Sequence, residues 1–158
     1  MKDLFYLQKE SIYAVPIIHN NMEMAGEVKG VFDEIQPDCV AVELPETMQL
    51  QHLHAASRLP DISVVVAFNT HLDPLYTLCE PCDPIYEALR SALENQRAAH
   101  CIDLDVDAYP DHSDNVPDPY AINKIGLKYY YESYEKIILN SKPQRSTFDD
   151  HRELYMAK

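Results

Sequence analysis

Apolar residues first gather over residues 11–18, a run rich in β-branched and aromatic side chains that predicts a strand. The run stops at His19. Asn20 or Asn21 then offers a helix N-cap, with Glu23 three residues after Asn20 as in a capping box. Met24, Val28, Val31, Phe32 and Ile35 recur at helical spacing, and Pro37 stops the helix. Residues 39–42, Cys-Val-Ala-Val, are a continuous apolar run, the pattern of a strand covered on both faces, and Glu43 ends it. Strand, helix and strand make a βαβ unit whose crossover sets the two strands parallel. His19 and Glu43 are then expected at one edge of the sheet, where open α/β sheets bind ligands.

Further along, Pro45 followed by Leu50, Leu53 and Ala56 on one face predicts a helix that ends near Pro60. Residues 62–68, ISVVVAF, predict a buried strand. Residues 69–74 are too short for a crossover helix. They lead either into an antiparallel strand over 75–79 or into an irregular loop. Asp83-Pro84 opens a helix as cap and first-turn proline, with Ile85, Leu89, Ala92 and Leu93 as its apolar face. Residues 100–104 predict a strand, and residues 103–119, rich in Asp and Pro, a loop. Asp118-Pro119 repeats the cap-and-proline start. A long helix is expected from there to about Asn140, carrying Ile122, Ile125, Tyr129 and Ile137. After a polar linker over 142–147, Asp149 or Asp150 starts a last helix that reaches Lys158 without a C-cap. The expected fold is α/β, with a mixed, largely parallel central sheet flanked by helices. Residues 1–158 are expected to form a single domain that is the N-terminal portion of a larger one.

Composition narrows the partners. With 46% hydrophobic and 25% charged residues the chain can build a packed core. Its 26 acidic residues against 13 basic ones give a formal charge of −13. Such a surface repels phosphate backbones and anionic lipid, so neither nucleic acid nor membrane is an expected partner. It is compatible with a cation site. The first residues, MKDLFYLQKESIY, lack the apolar core of a signal peptide, and no apolar run approaches a bilayer span. The four cysteines, Cys39, Cys79, Cys82 and Cys101, are therefore expected as reduced thiols in a cytoplasmic protein.

Several phrases are similar to a superfamily that includes TraB, the Tiki proteases, ChaN and erythromycin esterases. PIIHNNMEMAGEVKGVFDEI is a strand ending in His with a helix behind it, and QPDCVAVELPE closes a strand on Glu-Leu. DPIYEALRSALENQRAAHCIDLD resembles the helix and Ile-Asp-Leu strand of related bacterial proteins. Arg152-Glu153-Leu154-Tyr155-Met156-Ala157 is similar to a TraB helix. The resemblance covers most of the chain. It implies a mixed α/β sheet and, for Tiki-like members, metal-dependent peptide hydrolysis. Carried over residue by residue, it implies His19 as the first motif histidine, Glu43 as the acid and Arg152 as the arginine. Pro16 stands where the motif has glycine, and no second Gly-x-x-His occurs. Some members bind haem or act without a metal, so the superfamily does not fix one reaction.

The expected chemistry centres on His19 and Glu43. Imidazole and carboxylate suit a divalent metal such as Zn or Mn, and Glu43 could instead deprotonate an attacking water. Asp103, Asp105 and Asp107 alternate in sequence, and one strand face holding all three would favour a cation. Asp103 is the candidate among them because it still lies in the apolar run. The expected ligands are thus His19, Glu43 and Asp103, and the expected catalytic residues Glu43 and Arg152, the latter clamping a substrate carboxylate or pairing with the acidic cluster. Plainer readings stand beside these: a polar strand end, a solvated acidic loop, an exposed helix arginine. Cys79-Glu80-Pro81-Cys82 allows a redox motif or half a zinc site, with packing as the ordinary role. Tyr129, Tyr130, Tyr131 and Tyr134 suit packing or a homo-oligomer contact. His52, His54 and His71 have no partner at ligand spacing. The leading expectation is a metal-dependent hydrolase of an amide or ester in a small molecule or peptide. The alternatives are a binding or regulatory module and, further off, a thiol oxidoreductase using Cys79 and Cys82.

Overall fold

The computed structural model describes residues 4–105 and 118–140. The chain divides into two compact units, Met1–His112 and Ser113–Lys158. The expected final helix and Arg152 lie outside the described residues, as does Asp107. The class is mixed α/β, with a small parallel sheet flanked by helices.

In the first unit, β1 (Leu7–Lys9) and β2 (Ile12–Ala14) form an antiparallel hairpin. The strand expected over 11–18 therefore stops at Ala14. Two forces end it. A local turn at Glu10 gives Ile12 its partner in Lys9, and Pro16 has no N–H to extend a ladder. Residues 15–18 run on outside any strand, with Ile17 packed on the core.

Helix α1 (Met22–Ile35) starts where the pattern indicates. Asn21 is its cap, accepting from Met24 N at 3.1 Å. Asn20 precedes it in the left-handed region, φ 55°. Met24, Val28, Val31 and Phe32 are buried on the expected face. Gln36, also left-handed, closes the helix with its N–H on Phe32 O, one residue before Pro37.

Strand β3 (Cys39–Pro45) runs two residues past Glu43. Its burial alternates: Val42 and Leu44 point into the core, whereas Cys39, Ala41 and Glu43 are exposed. The expectation of cover on both faces fails because the face that carries Cys39, Ala41 and Glu43 is exposed. A 3₁₀ turn (Glu46–Met48) leads into α2 (Gln49–Ser57), which buries His52, Ala55 and Ala56 and leaves Leu50 outside.

Strands β4 (Ser63–Phe68) and β5 (Pro74–Cys79) form the antiparallel hairpin that was one of the two readings of residues 69–79. The Asn69 side chain ties its turn, accepting from His71 N at 2.9 Å and Asp73 N at 2.8 Å. The strand over 62–68 is not buried as expected. Val65 is buried and Ser63 and Ala67 beside it on the same face are half-buried, while Val64, Val66 and Phe68 face outward.

Helix α3 (Pro84–Glu94) is the central element. It packs on α1, α2, β3 and β6. Strand β6 (Ala98–Asp103) lies parallel to β3, with Val42 opposite Cys101 and Pro45 opposite Asp103. The ladder is irregular between Val42 and Pro45, where Glu43 sits. The parallel partner of β3 is therefore β6, not the segment before α1. The core joins Val42, Leu44, Val65, Ile85, Leu89 and Cys101.

In the second unit the helix expected from Asp118 is broken. A 3₁₀ turn (Pro119–Ala121) and α4 (Ile122–Ile125) precede α5 (Leu127–Asn140). The break is Gly126 at φ 82°, a conformation outside the helical region. Tyr130 is buried, Tyr129 is exposed, and Tyr131 and Tyr134 are half-buried.

Candidate functional site

The site is built on the N-terminus of α3. Asp83 caps that helix, its Oδ1 accepting from Ile85 N at 2.9 Å. Its other oxygen faces the turn before α1: Oδ2 accepts from His19 Nδ1 at 2.9 Å and from Asn20 N at 3.3 Å. One carboxylate thus starts a helix and holds the histidine turn. The left-handed Asn20 presents its N–H to the same oxygen that accepts the hydrogen bond from His19. The Asp83 side chain is only 5% exposed, whereas that of His19 is 63% exposed. The pair therefore joins a buried anion to an imidazole open to solvent.

The electrostatics follow from this contact. The Asp83 hydrogen bond raises the His19 pKa above its ordinary value, burial opposes it, and the charges of Asp83 and Glu43 add to the rise. Burial pushes the Asp83 carboxyl upward. The bond to His19, the histidine charge and the N–H groups of Asn20 and Ile85 together outweigh it and hold the carboxyl below the usual range. With Nδ1 donating to Asp83, the lone pair of the neutral ring is at Nε2. That is the tautomer a metal-ligating or proton-accepting histidine needs.

Glu43 is exposed on β3 and near enough to act electrostatically on His19. His19 lies outside any strand and is held by the Asp83 bond, so the strand-end pairing expected from a βαβ unit is not what positions it. Asp103 ends β6, opposite Pro45, and its Oδ1 accepts from Leu104 N at 2.9 Å. Asp105 is beyond the strand and accepts from Thr47 Oγ1. Because β6 stops at Asp103, the alternation of acids does not continue along a strand face.

Among the described residues no group of three or more His, Cys, Asp or Glu side chains is arranged to hold a metal ion. His19 and Glu43 supply two donor types suited to Zn or Mn, but with Asp103 they do not form a closed ligand set, and no step is derived through a metal.

The thiols sit close by. Cys79 is buried, and its pKa is pushed up to about 11 by burial and by the charges of Asp83 and Glu80. Cys82 lies 3.0 Å from Glu80 Oε1, and that hydrogen bond is the largest cause of its raised pKa. An activated redox thiol needs the opposite shift.

Two residues were not recognised as partners in the sequence. Asp83 was legible as a cap but not as the partner of His19. His52, set aside for want of a partner, is buried, and its Nδ1 lies 2.8 Å from Tyr86 OH. Elsewhere, a groove of about 590 Å³ is lined by Glu46, Thr47, Gln49, Leu50, His100 and Ile102, with Cys101 at its side. No family model, curated protein or solved structure matches this chain. No helix among the described residues is long and apolar enough to cross a membrane.

Proposed function

We propose that this chain hydrolyses an amide or ester and that His19, held by Asp83, is its base. The observation that carries the proposal is the 2.9 Å bond from an exposed imidazole to a nearly buried carboxylate. In this reading Nε2 takes a proton from water as the water oxygen bonds to the substrate carbonyl carbon. The tetrahedral species then collapses, the C–N or C–O bond breaks, and the imidazolium returns the proton to the leaving group. Asp83 keeps the tautomer and stabilises the imidazolium, as an orienting carboxylate does in acyl-transfer sites. Glu43 adds negative charge beside the ring. In the Tiki-like version of the same reading, His19 and Glu43 would be the residues to hold a Zn or Mn ion, which would supply an activated water. The resemblance to the TraB and Tiki superfamily supports this reading but does not choose between the two versions.

A second reading, a non-enzymatic binding module, is favoured by one observation. The groove lined by Glu46, His100 and Ile102 contains neither His19 nor Asp83.

The test is hydrolysis of a p-nitrophenyl ester and a peptide anilide by the purified chain and by His19→Gln. The proposal expects turnover that falls by on the order of 10²–10⁴-fold in the variant. Equal rates in both proteins would remove it. Metal analysis separates the versions: a stoichiometric Zn or Mn lost in His19→Ala supports the metal-assisted one.

A further inference from the structure

The hairpin of β4 and β5 carries an apolar surface that the proposed chemistry does not use. Its register sets Val64 opposite Leu78, Val66 opposite Tyr76 and Phe68 opposite Pro74. The alternating residues Val65 and Cys79 go into the core. The other set forms one continuous outer face in which Val64, Val66, Phe68, Tyr76 and Leu78 are 41–64% exposed. Ile62, also exposed, extends it at one end. None of these side chains is charged, in a protein whose formal charge is −13. The acids nearest along the chain, Asp61, Asp73 and Glu80, flank the two strands rather than lying within the face.

Side chains of this size, roughly half exposed, leave on the order of 600 Å² of apolar surface. That is at the upper limit of what a monomer displays and approaches the roughly 800 Å² per partner of an ordinary stable interface.

We propose that this face is the contact between two copies of the chain, hairpin against hairpin across a two-fold axis. Two arguments select a second copy. An isologous contact needs a surface that complements itself, and an uncharged antiparallel face centred on Val66 and Tyr76 does so. Two bodies of the same strong charge meet at the least cost where the centre is uncharged and the acids lie at the rim. The rim then sets the salt response. Salt screens the repulsion between like-charged copies, so association strengthens as ionic strength rises. A basic protein partner would have the reverse dependence. The proposal does not rest on the hydrolase reading.

Sedimentation velocity of the full chain over a concentration series, at low and at high salt, tests it. The wild type is expected to dimerise with a dissociation constant that falls as salt is added. Phe68→Asp on β4 and, separately, Tyr76→Lys on β5 are expected to raise that constant at least about tenfold. Leu50→Asp, at an exposed leucine of α2 outside the face, leaves it unchanged. Circular dichroism verifies that each variant is folded, and the salt response of the wild type requires no variant. A wild type that stays monomeric, an association that weakens with salt, or folded Phe68→Asp and Tyr76→Lys proteins that dimerise like the wild type would each overturn the proposal.

Discussion

Asp83 Oδ2 lies 2.9 Å from His19 Nδ1 across 64 residues of sequence, while Asp83 Oδ1 caps the helix that follows it. Helices α1 and α3, which pack together, therefore start from a shared polar joint. The two partners titrate in opposite senses, and this fixes the pH dependence. His19 has a folded pKa above 6.5, so its share of the stability is complete below pH 6.5 and is lost as pH rises through the folded value. Asp83 has a folded pKa below 3.8, so its share is present above that value and is lost as pH falls. The stability difference between wild type and His19→Gln is expected to be largest between these limits and to shrink above pH 6.5. It should not exceed about 1 kcal/mol, because the ring is mostly in water. Urea unfolding at a series of pH values measures it. A difference that grows toward alkaline pH would contradict the assignment.

The two roles of Asp83 are separable by substitution. Asn keeps a capping oxygen but removes the charge, whereas Ala removes both. Asp83→Ala is expected to cost about 0.5–2 kcal/mol through the cap alone, and more with the loss of the contacts to His19 and Asn20. Asp83→Asn should be the milder change to stability while still lowering the His19 pKa. Equilibrium unfolding together with NMR titration of the His19 ring reads both effects. Equal stability of the two variants would deny the cap its share.

Local signals were readable in the sequence and long-range pairings were not. The caps at Asn21 and Asp83 and the turn at residues 69–73 rest on nearby residues, and the structure contains them. Residues 15–18 look like a strand by composition, but a hairpin partner a few residues upstream and the missing N–H of Pro16 decide otherwise. Residues 39–42 and 62–68 read as buried because their apolar runs are continuous. Only the packing reveals that a single face is covered. His19 was noticeable as a polar residue beside an apolar run. Its partner Asp83 already had a sufficient local role, so nothing in the sequence asked for a second one. His52 and Tyr86 meet only because α2 packs on α3.

That buried pair makes its own prediction. Tyr86→Phe keeps the ring but leaves His52 Nδ1 facing no phenol, at a cost of about 1–3 kcal/mol. Burial lowers the His52 pKa, so the unfolded chain binds the proton more readily than the folded one. Its contribution is therefore lost as pH falls below 6.5, opposite in sign to that of His19. Thermal unfolding of Tyr86→Phe and wild type at neutral pH tests the first statement. A melting temperature unchanged by the substitution would contradict it.

The thiols are expected to be slow nucleophiles. With a pKa of about 11, Cys79 is almost wholly protonated at neutral pH, and it is buried as well. Glu80→Gln removes the strongest cause of the raised Cys82 pKa, so Cys82 should react faster, by roughly several-fold, while Cys79 stays slow. Modification by a chromogenic disulfide followed by peptide mapping distinguishes the two. Rapid reaction of both thiols in the parent chain would revive the oxidoreductase reading.

The central claim is that Asp83 sets the basicity of His19 for hydrolysis. The most direct measurement is the pH dependence of kcat/KM for a p-nitrophenyl ester, in wild type and in Asp83→Asn. The account predicts an acidic limb governed by a pKa above 6.5 in the wild type. In Asp83→Asn that limb should move to lower pH and the plateau should fall. An acidic limb that stays in place in Asp83→Asn, or hydrolysis that survives in full without the carboxylate, would contradict it.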